Sequence, residues 1–231
     1  MIKVENIDVW GFEHAIRGMR NPLNSWDKSD SGMKFVKGIF NDQEFVVGKN
    51  DLDLIRRLYK AGTEHRKYLR QIIISLDITA PLYWWKEFDT YKVGTVANSC
   101  STMHKIAAKE FELDDFSHEH LFNCTDEDIK DDFYDECGYL FAPDEFLELS
   151  IAILNACRTR YLETKDKKWW WQMIQLLPSS YNQKRTVTMN YENVVSMIHQ
   201  RTGHKLDEWN DFVEILKNLP YIKEITDGTE A

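Results

Sequence analysis

The sequence predicts a helix-rich α+β domain, and three observations predict it. The β-branched residues Ile72, Ile73, Ile74, Ile78 and Thr79, stopped by Pro81, predict a buried strand from Ile72 to Ala80. Asp51 to Gly62 opens on acids, repeats apolar residues at helical spacing, closes on bases and places a glycine where a C-cap belongs, which predicts a helix. From Pro143 to about Tyr161, Phe146, Leu147, Leu149, Ile151, Ile153, Leu154 and Cys157 are too apolar on too many sides for a surface helix, so this segment is expected to be the central buried one.

The remaining elements follow in order. Ile2, Val4, Ile7 and Val9 alternate loosely, as in a short first strand, and Glu13 to Met19 reads as a short helix ended by Asn21-Pro22. After the strand at 72–80, the aromatic run Tyr83-Trp84-Trp85 is expected to pack a helix onto the sheet. The polar stretch that follows, as far as Ser101, is either an ordinary loop over a helix end or a segment that brings small donors close to a ligand. Between Glu112 and Glu136 acidic residues face a single base, Lys130, which marks a solvated insertion. A helix from Trp169 to Leu177 stops at Pro178, Thr186 to Thr188 forms a short strand or turn, and Tyr191 to Gln200 and Leu206 to Leu219 read as two more helices.

A chain of 231 residues suits one domain, 1–231, with an acidic insertion at about 112–136. With 29 Lys and Arg against 38 Asp and Glu, its net charge of −9 repels phosphate-rich polymers, so no nucleic acid polymer is expected as a partner. No stretch approaches the roughly 20 apolar residues of a membrane span, and the first residues lack a signal-peptide pattern. A soluble, cytoplasmic protein with free thiols at Cys100, Cys124, Cys137 and Cys157 is the expectation, without a membrane partner. His118-x-His120 with Cys124 and Cys137 fits no common zinc spacing, and Asp126, Asp128, Asp131 and Asp132 lack the glycine and closing Glu of a calcium loop, so no metal is expected. The glycine-rich phosphate loops and nucleophile motifs are missing from the sequence.

Two stretches carry more. Asn190 and Arg201 stand eleven residues apart, about three helical turns, so a continuous helix projects both from one face, along the stripe of Val194 and Met197. An Asn and an Arg on an inward stripe either complete a structural network or line a pocket for an anionic, amide-containing ligand. The second stretch runs from Ala80-Pro81 through the aromatic helix to Thr90-Tyr91-Lys92-Val93-Gly94-Thr95 and Asn98-x-x-Ser101.

Together these stretches resemble the flavin-dependent thymidylate synthase family. Its signature is a strand ending in Ala-Pro, an aromatic helix, R-H-R-x-x-S-x-N-x-x-S-x-R, then L-P, a T-x-N and an Arg eleven residues after that Asn. Here stand Ala80-Pro81, Thr90-Tyr91-Lys92-Val93-Gly94-Thr95, Asn98-x-x-Ser101 with one extra residue, Leu177-Pro178, Thr188-Met189-Asn190 and Arg201. Gly62-Thr63-Glu64-His65 resembles the family's Gly-His turn, so the likeness runs from about residue 50 to 220. The R-H-R-x-x-S motif is degenerate: Thr90, Tyr91 and Lys92 replace two arginines and a histidine, Met103 replaces the Arg after the second Ser, and Ile174 replaces the Arg before L-P.

The resemblance implies a central mixed or antiparallel sheet flanked by helices, and a homotetramer whose sites lie between subunits. It also implies transfer of a methylene group from methylenetetrahydrofolate to C5 of dUMP, or of a related pyrimidine nucleotide, giving dTMP, with FAD, reduced by NADPH, supplying the hydride. By position, His65, Lys92, Thr95 and Asn190 would bind FAD, Asn98, Ser101 and Arg201 the nucleotide, and Arg201 would be the catalytic cation beside charge developing on the base. The alternative is a non-catalytic or re-purposed relative that keeps the fold as a nucleotide-binding or interaction protein.

Overall fold

A computed structural model describes residues 2–35, 43–123, 125 and 142–226. Strand β1 (Lys3–Trp10) leads into α1 (Phe12–Arg20), which carries Glu13 in its first turn and Arg17 and Arg20 in its last, as the helix dipole favours, and ends at Asn21-Pro22. A hairpin follows, β2 (Gly32–Phe35) pairing antiparallel with β3 (Gln43–Val46) in the register Gly32 to Val46. Helix α2 (Lys49–Lys60) carries Asp51 in its first turn and Arg57 and Lys60 in its last, and β4 (Ile73–Pro81) is the β-branched strand. Next come α3 (Leu82–Phe88), β5 (Val96–Ser99) and α4 (Thr102–Lys105). Helix α5 (Pro143–Thr164) begins with Pro143, Asp144 and Glu145 and stops where Lys165 turns to φ 56°. The Asp166 side chain caps α6 (Lys167–Leu176), and the chain finishes through β6 (Asn182–Asn190), α7 (Tyr191–Arg201), α8 (Asp207–Lys217) and α9 (Ile222–Thr226).

The strands β1-β4-β6-β5, in that order, form an antiparallel sheet flanked by helices, in agreement with the α+β expectation. By its contacts the chain divides into a terminal unit (Ile2–Ile78, Asp89–Asn98, Thr186–Ala231) and a middle unit (Thr79–Phe88, Ser99–Arg185).

The core of the terminal unit is built on Ile55, Ile74, Leu76, Tyr191, Val194 and Trp209, each essentially inaccessible. It also buries an ion pair. The Arg20 guanidinium donates to Asp51 Oδ1 at 2.5 Å, to the Ser25 carbonyl at 3.0 Å and to the Lys28 carbonyl at 3.1 Å. Asp51 Oδ2 accepts from the Ser29 and Ser31 hydroxyls and from the Asp30 and Ser31 amides. Burial alone would raise the Asp51 carboxyl, but the hydrogen bonds from Ser31, Ser29, Arg20 and Asp30 outweigh it and hold the group below its ordinary value. In the middle unit Phe116, Leu154 and Met173 centre one apolar cluster, and on α3 the Trp84 and Phe88 rings stack while Trp85 meets both edge to face. Trp85 Nε1 donates to the Gln183 carbonyl at 2.9 Å, which fastens α3 to β6 as the aromatic run leads one to expect.

Four expectations change. The helix from Pro143 exists but is not buried: Leu147, Leu154 and Cys157 face the cluster, while Phe146, Leu149 and Ile153 are 65%, 48% and 42% exposed. It packs chiefly on α6, and residues 146, 149 and 153 recur at three- and four-residue spacing on a side that α6 does not cover. The short strand at Thr186 is nine residues long, and the polar stretch before Ser101 contains an exposed strand, β5, at the edge of the sheet. Polar side chains suit an edge, where the outer backbone faces water, so their polarity concealed the strand. Of the acidic stretch at 112–136, Phe116 is buried and bridges Tyr181, so its beginning is core; residue 124 and residues 126–136 lie outside the described residues.

Candidate functional site

Helix α7 organises most of the residues singled out above. It is continuous from Tyr191 to Arg201, and Val194 and Met197 are fully buried along it. Asn190 stands at its N-cap, 8% exposed, with its side-chain oxygen accepting from the Asn193 N–H at 3.1 Å. The Asn193 side-chain amide donates in turn to the Val93 carbonyl and to Thr95 Oγ1, both at 2.8 Å. Gly94, at φ 71°, lies so close that a Cβ there would stand 2.4 Å from Asn190 Nδ2. The loop at 89–95 is therefore pinned to the first turn of α7.

Its other end is pinned to the last turn. Arg201 Nε donates to the Tyr91 hydroxyl at 2.9 Å, and that hydroxyl donates to Gln200 Oε1 at 3.0 Å. The Arg201 guanidinium lies 4.6 Å from the centre of the buried Trp209 ring and 5.5 Å from that of Tyr91, with Nη1 3.2 Å from His204 Nε2. A guanidinium held against two rings and a hydroxyl keeps its direction and its charge. Lys92 is exposed on the loop so held.

The Gly62–His65 turn reaches the same helix through its next residue. Arg66 lies over the Tyr59 ring at 4.9 Å, and its Nε is 3.9 Å from Glu192 Oε1 in the first turn of α7. Among the described residues, Arg66 Nε and Glu192 Oε2 are buried without a hydrogen-bond partner. His65 itself is exposed. Beneath this turn, burial pushes the Tyr68 phenol up, so it stays protonated and donates to the Ile55 carbonyl at 3.0 Å.

Asn98 is exposed on β5. Ser101 belongs to the middle unit, where its hydroxyl caps α4 by accepting from the His104 N–H at 3.1 Å. A hollow of about 370 Å³ in that unit brings together Met103, His104, Tyr161, Lys165, Lys167 and Trp170. Trp170 Nε1 donates to the Met103 carbonyl at 3.0 Å, and Lys167 Nζ lies 5.9 Å from the Trp170 ring centre.

The structure thus gathers Lys92, Thr95, Asn190 and Arg201 along one helix, with the His65 turn joined to it through Arg66. It leaves Ser101 in a separate setting. Sequence reading missed Tyr91, Asn193, Arg66 and Trp209 as the residues that hold this arrangement, and Lys165, Lys167 and Trp170 in the hollow. Asn193 was open to recognition as the third residue of a helix whose N-cap is Asn190. The others had no such local signal. Among the described residues Cys100 and Cys157 are free thiols; Cys124 and Cys137 lie outside them.

No protein-family model matches this chain, and no curated protein matches it. Solved structures do. Thymidylate synthase X from Helicobacter pylori, solved with FAD and dUMP, is 18% identical, with 97% of this chain and 96% of that chain covered and a TM-score of 0.64. The UMP/dUMP methylase PolB from Streptomyces cacaoi, bound with 5-Br dUMP, is 15% identical, with coverages of 94% and 88% and a TM-score of 0.60. The chain has the thymidylate synthase X fold. The same fold carries PolB, and both likenesses run nearly end to end.

Proposed function

We propose that the protein is a flavin-dependent thymidylate synthase-like enzyme. It methylates dUMP, or a related pyrimidine nucleotide, to dTMP with methylenetetrahydrofolate, FAD and NADPH. The observation that carries this reading is the convergence on α7 of the His65 turn, the loop with Lys92 and Thr95, and the Asn190 and Arg201 pair. These are the segments that the resemblance assigns to flavin and nucleotide.

The donor set fits FAD. Arg66 Nε and Glu192 Oε2, beyond their loose ion pair, make no hydrogen bond among the described residues, so a ligand with both donor and acceptor groups would complete them. Exposed His65 and Lys92 would add an imidazole and an ammonium for a phosphate, and Thr95 and Asn190 a hydroxyl and an amide. When bound, FAD reduced by NADPH supplies the hydride. In this reading Arg201, held by Tyr91, His204 and Trp209, would be the fixed cation beside negative charge developing on the pyrimidine carbonyl, and a charge already held needs little reorganisation as the reaction proceeds. In the middle unit Lys165 and Lys167 beside Trp170 would offer ammonium groups and a ring face near Met103, where the resemblance expects an arginine. Asn98 and Ser101 complete the nucleotide contacts in this reading.

The exposed apolar stripe of α5 supports assembly into a homotetramer. No helix among the described residues is long and apolar enough to cross a membrane.

The test is direct. Purified protein mixed with FAD should show bound-flavin absorbance, and with methylenetetrahydrofolate and NADPH it should convert dUMP to dTMP. Arg201→Ala should lose about 2–5 kcal/mol of nucleotide binding or transition-state stabilisation. One observation favours the non-catalytic relative: Tyr91, standing where the family has a histidine, hydrogen-bonds Arg201. A protein that stays colourless with excess FAD would count against the flavoenzyme reading and favour that one.

A further inference from the structure

The chain is acidic overall, yet one cleft of the terminal unit, about 660 Å³ in volume, gathers Arg20, Lys28, Arg56, Arg57 and Lys60 around the single carboxylate of Asp53. Two of these cations are committed. Arg20 is spent on Asp51 and two carbonyls, and Arg56 donates to the Glu224 carbonyl at 2.7 Å and stands 3.7 Å from Asp53. Lys28, Arg57 and Lys60 are exposed and make no side-chain hydrogen bond or ion pair among the described residues.

The helix dipole accounts for part of this. Arg57 and Lys60 close α2, where cations are favoured, and Asp53, Arg57 and Lys60 follow one another at helical spacing on one face. It does not account for Lys28. That residue ends the short turn Trp26–Lys28, and the buried Arg20 holds its carbonyl at 3.1 Å, which fixes the turn against α2. Two separate segments therefore present uncompensated positive charge to one open cleft, at a cost in mutual repulsion that a bound anion removes.

We propose that this cleft binds the polyphosphate group of a small molecule. Three uncommitted cations call for more than one negative charge, and the volume exceeds what a single phosphate fills. The arginine fork suits phosphate oxygens. None of these residues is among those assigned to flavin or nucleotide above, so the two readings stand or fall separately.

Calorimetric titration of the full chain with inorganic tripolyphosphate, and separately with a nucleoside triphosphate, at physiological salt tests the proposal. Saturable tripolyphosphate binding is expected to weaken at least tenfold in the double variant Arg57→Gln/Lys60→Gln. A control of equal charge change, Lys217→Gln/Lys223→Gln, should alter it less than twofold, with thermal melts showing both variants folded. Parallel loss of the nucleoside triphosphate would name nucleotide phosphates as the source; unaltered nucleotide binding beside lost tripolyphosphate binding would name free polyphosphate. No saturable tripolyphosphate binding to the unaltered protein, or equal weakening in both variants, would overturn the proposal.

Discussion

Helices α7 and α5 make an instructive pair. Of the eleven residues of α7, Tyr191, Val194, Val195, Met197 and Ile198 are buried; of the twenty-two of α5, only Leu147, Leu154 and Cys157 are. The more apolar-looking helix is the less buried one. In α7 the apolar residues form a single stripe that its own unit covers, and the polar groups at either end hold the loop at 89–95. In α5 they spread around the helix, so one neighbour cannot cover them all, and the stripe of Phe146, Leu149 and Ile153 is left to water or to another surface. One helix is complete within its unit, whereas the other has apolar area to spare.

If the terminal unit is complete in itself, its buried ion pair should be its most sensitive point. Asp51→Ala leaves Arg20 charged and buried, and should cost about 3–5 kcal/mol in urea denaturation. The same pair sets an acid limit. The folded pKa of Asp51 lies below its unfolded value, so its contribution is whole above the unfolded pKa and is lost as pH falls through the folded one. The urea midpoint should therefore fall on acidification below about pH 4, and Asp51→Asn should flatten that fall.

The pinning of the loop to α7 is tested at smaller amplitude. Gly94→Ala forces a side chain into a positive-φ position and against the capping amide, and should cost roughly 1–3 kcal/mol, read in the same denaturation. Asn190→Ala removes the cap for about 1 kcal/mol, and by loosening the first turn that carries Asn193 should also weaken FAD uptake.

The smallest stability change is expected on α5. The triple variant Phe146→Ser, Leu149→Ser, Ile153→Ser should shift the stability of the folded chain by about 0.5 kcal/mol or less per site, while light scattering should report a smaller assembly than that of the unaltered protein. An unchanged assembly would mean that the stripe is not the covering surface, and a large loss of stability would mean that α5 is covered within its own chain.

Much of the secondary structure was legible because its signals are local. Acids before bases with Gly62 behind them announced α2, and Ile72 to Pro81 announced β4, since propensity and capping act within a turn or two. The spacing of Asn190 and Arg201 likewise placed them at the two ends of α7. What burial α5 would receive was not legible, because covering depends on how many partners surround a helix, and sequence period is silent when apolar residues occupy several faces. Nor was the strand β5, whose polar side chains suit an edge that only the sheet order defines.

The sequence by itself determined which segments become helices and strands, and, through the resemblance, which side chains to examine. Tertiary structure alone decided what holds them. Tyr91 meets Arg201 across 110 positions and Arg66 meets Glu192 across more than a hundred, and no local pattern encodes contacts between segments so far apart along the chain. The same is true of Lys28 and Lys60, whose shared cleft depends on a buried arginine fixing a turn beside α2. Short-range forces write the elements; long-range packing chooses which of their polar groups share a site.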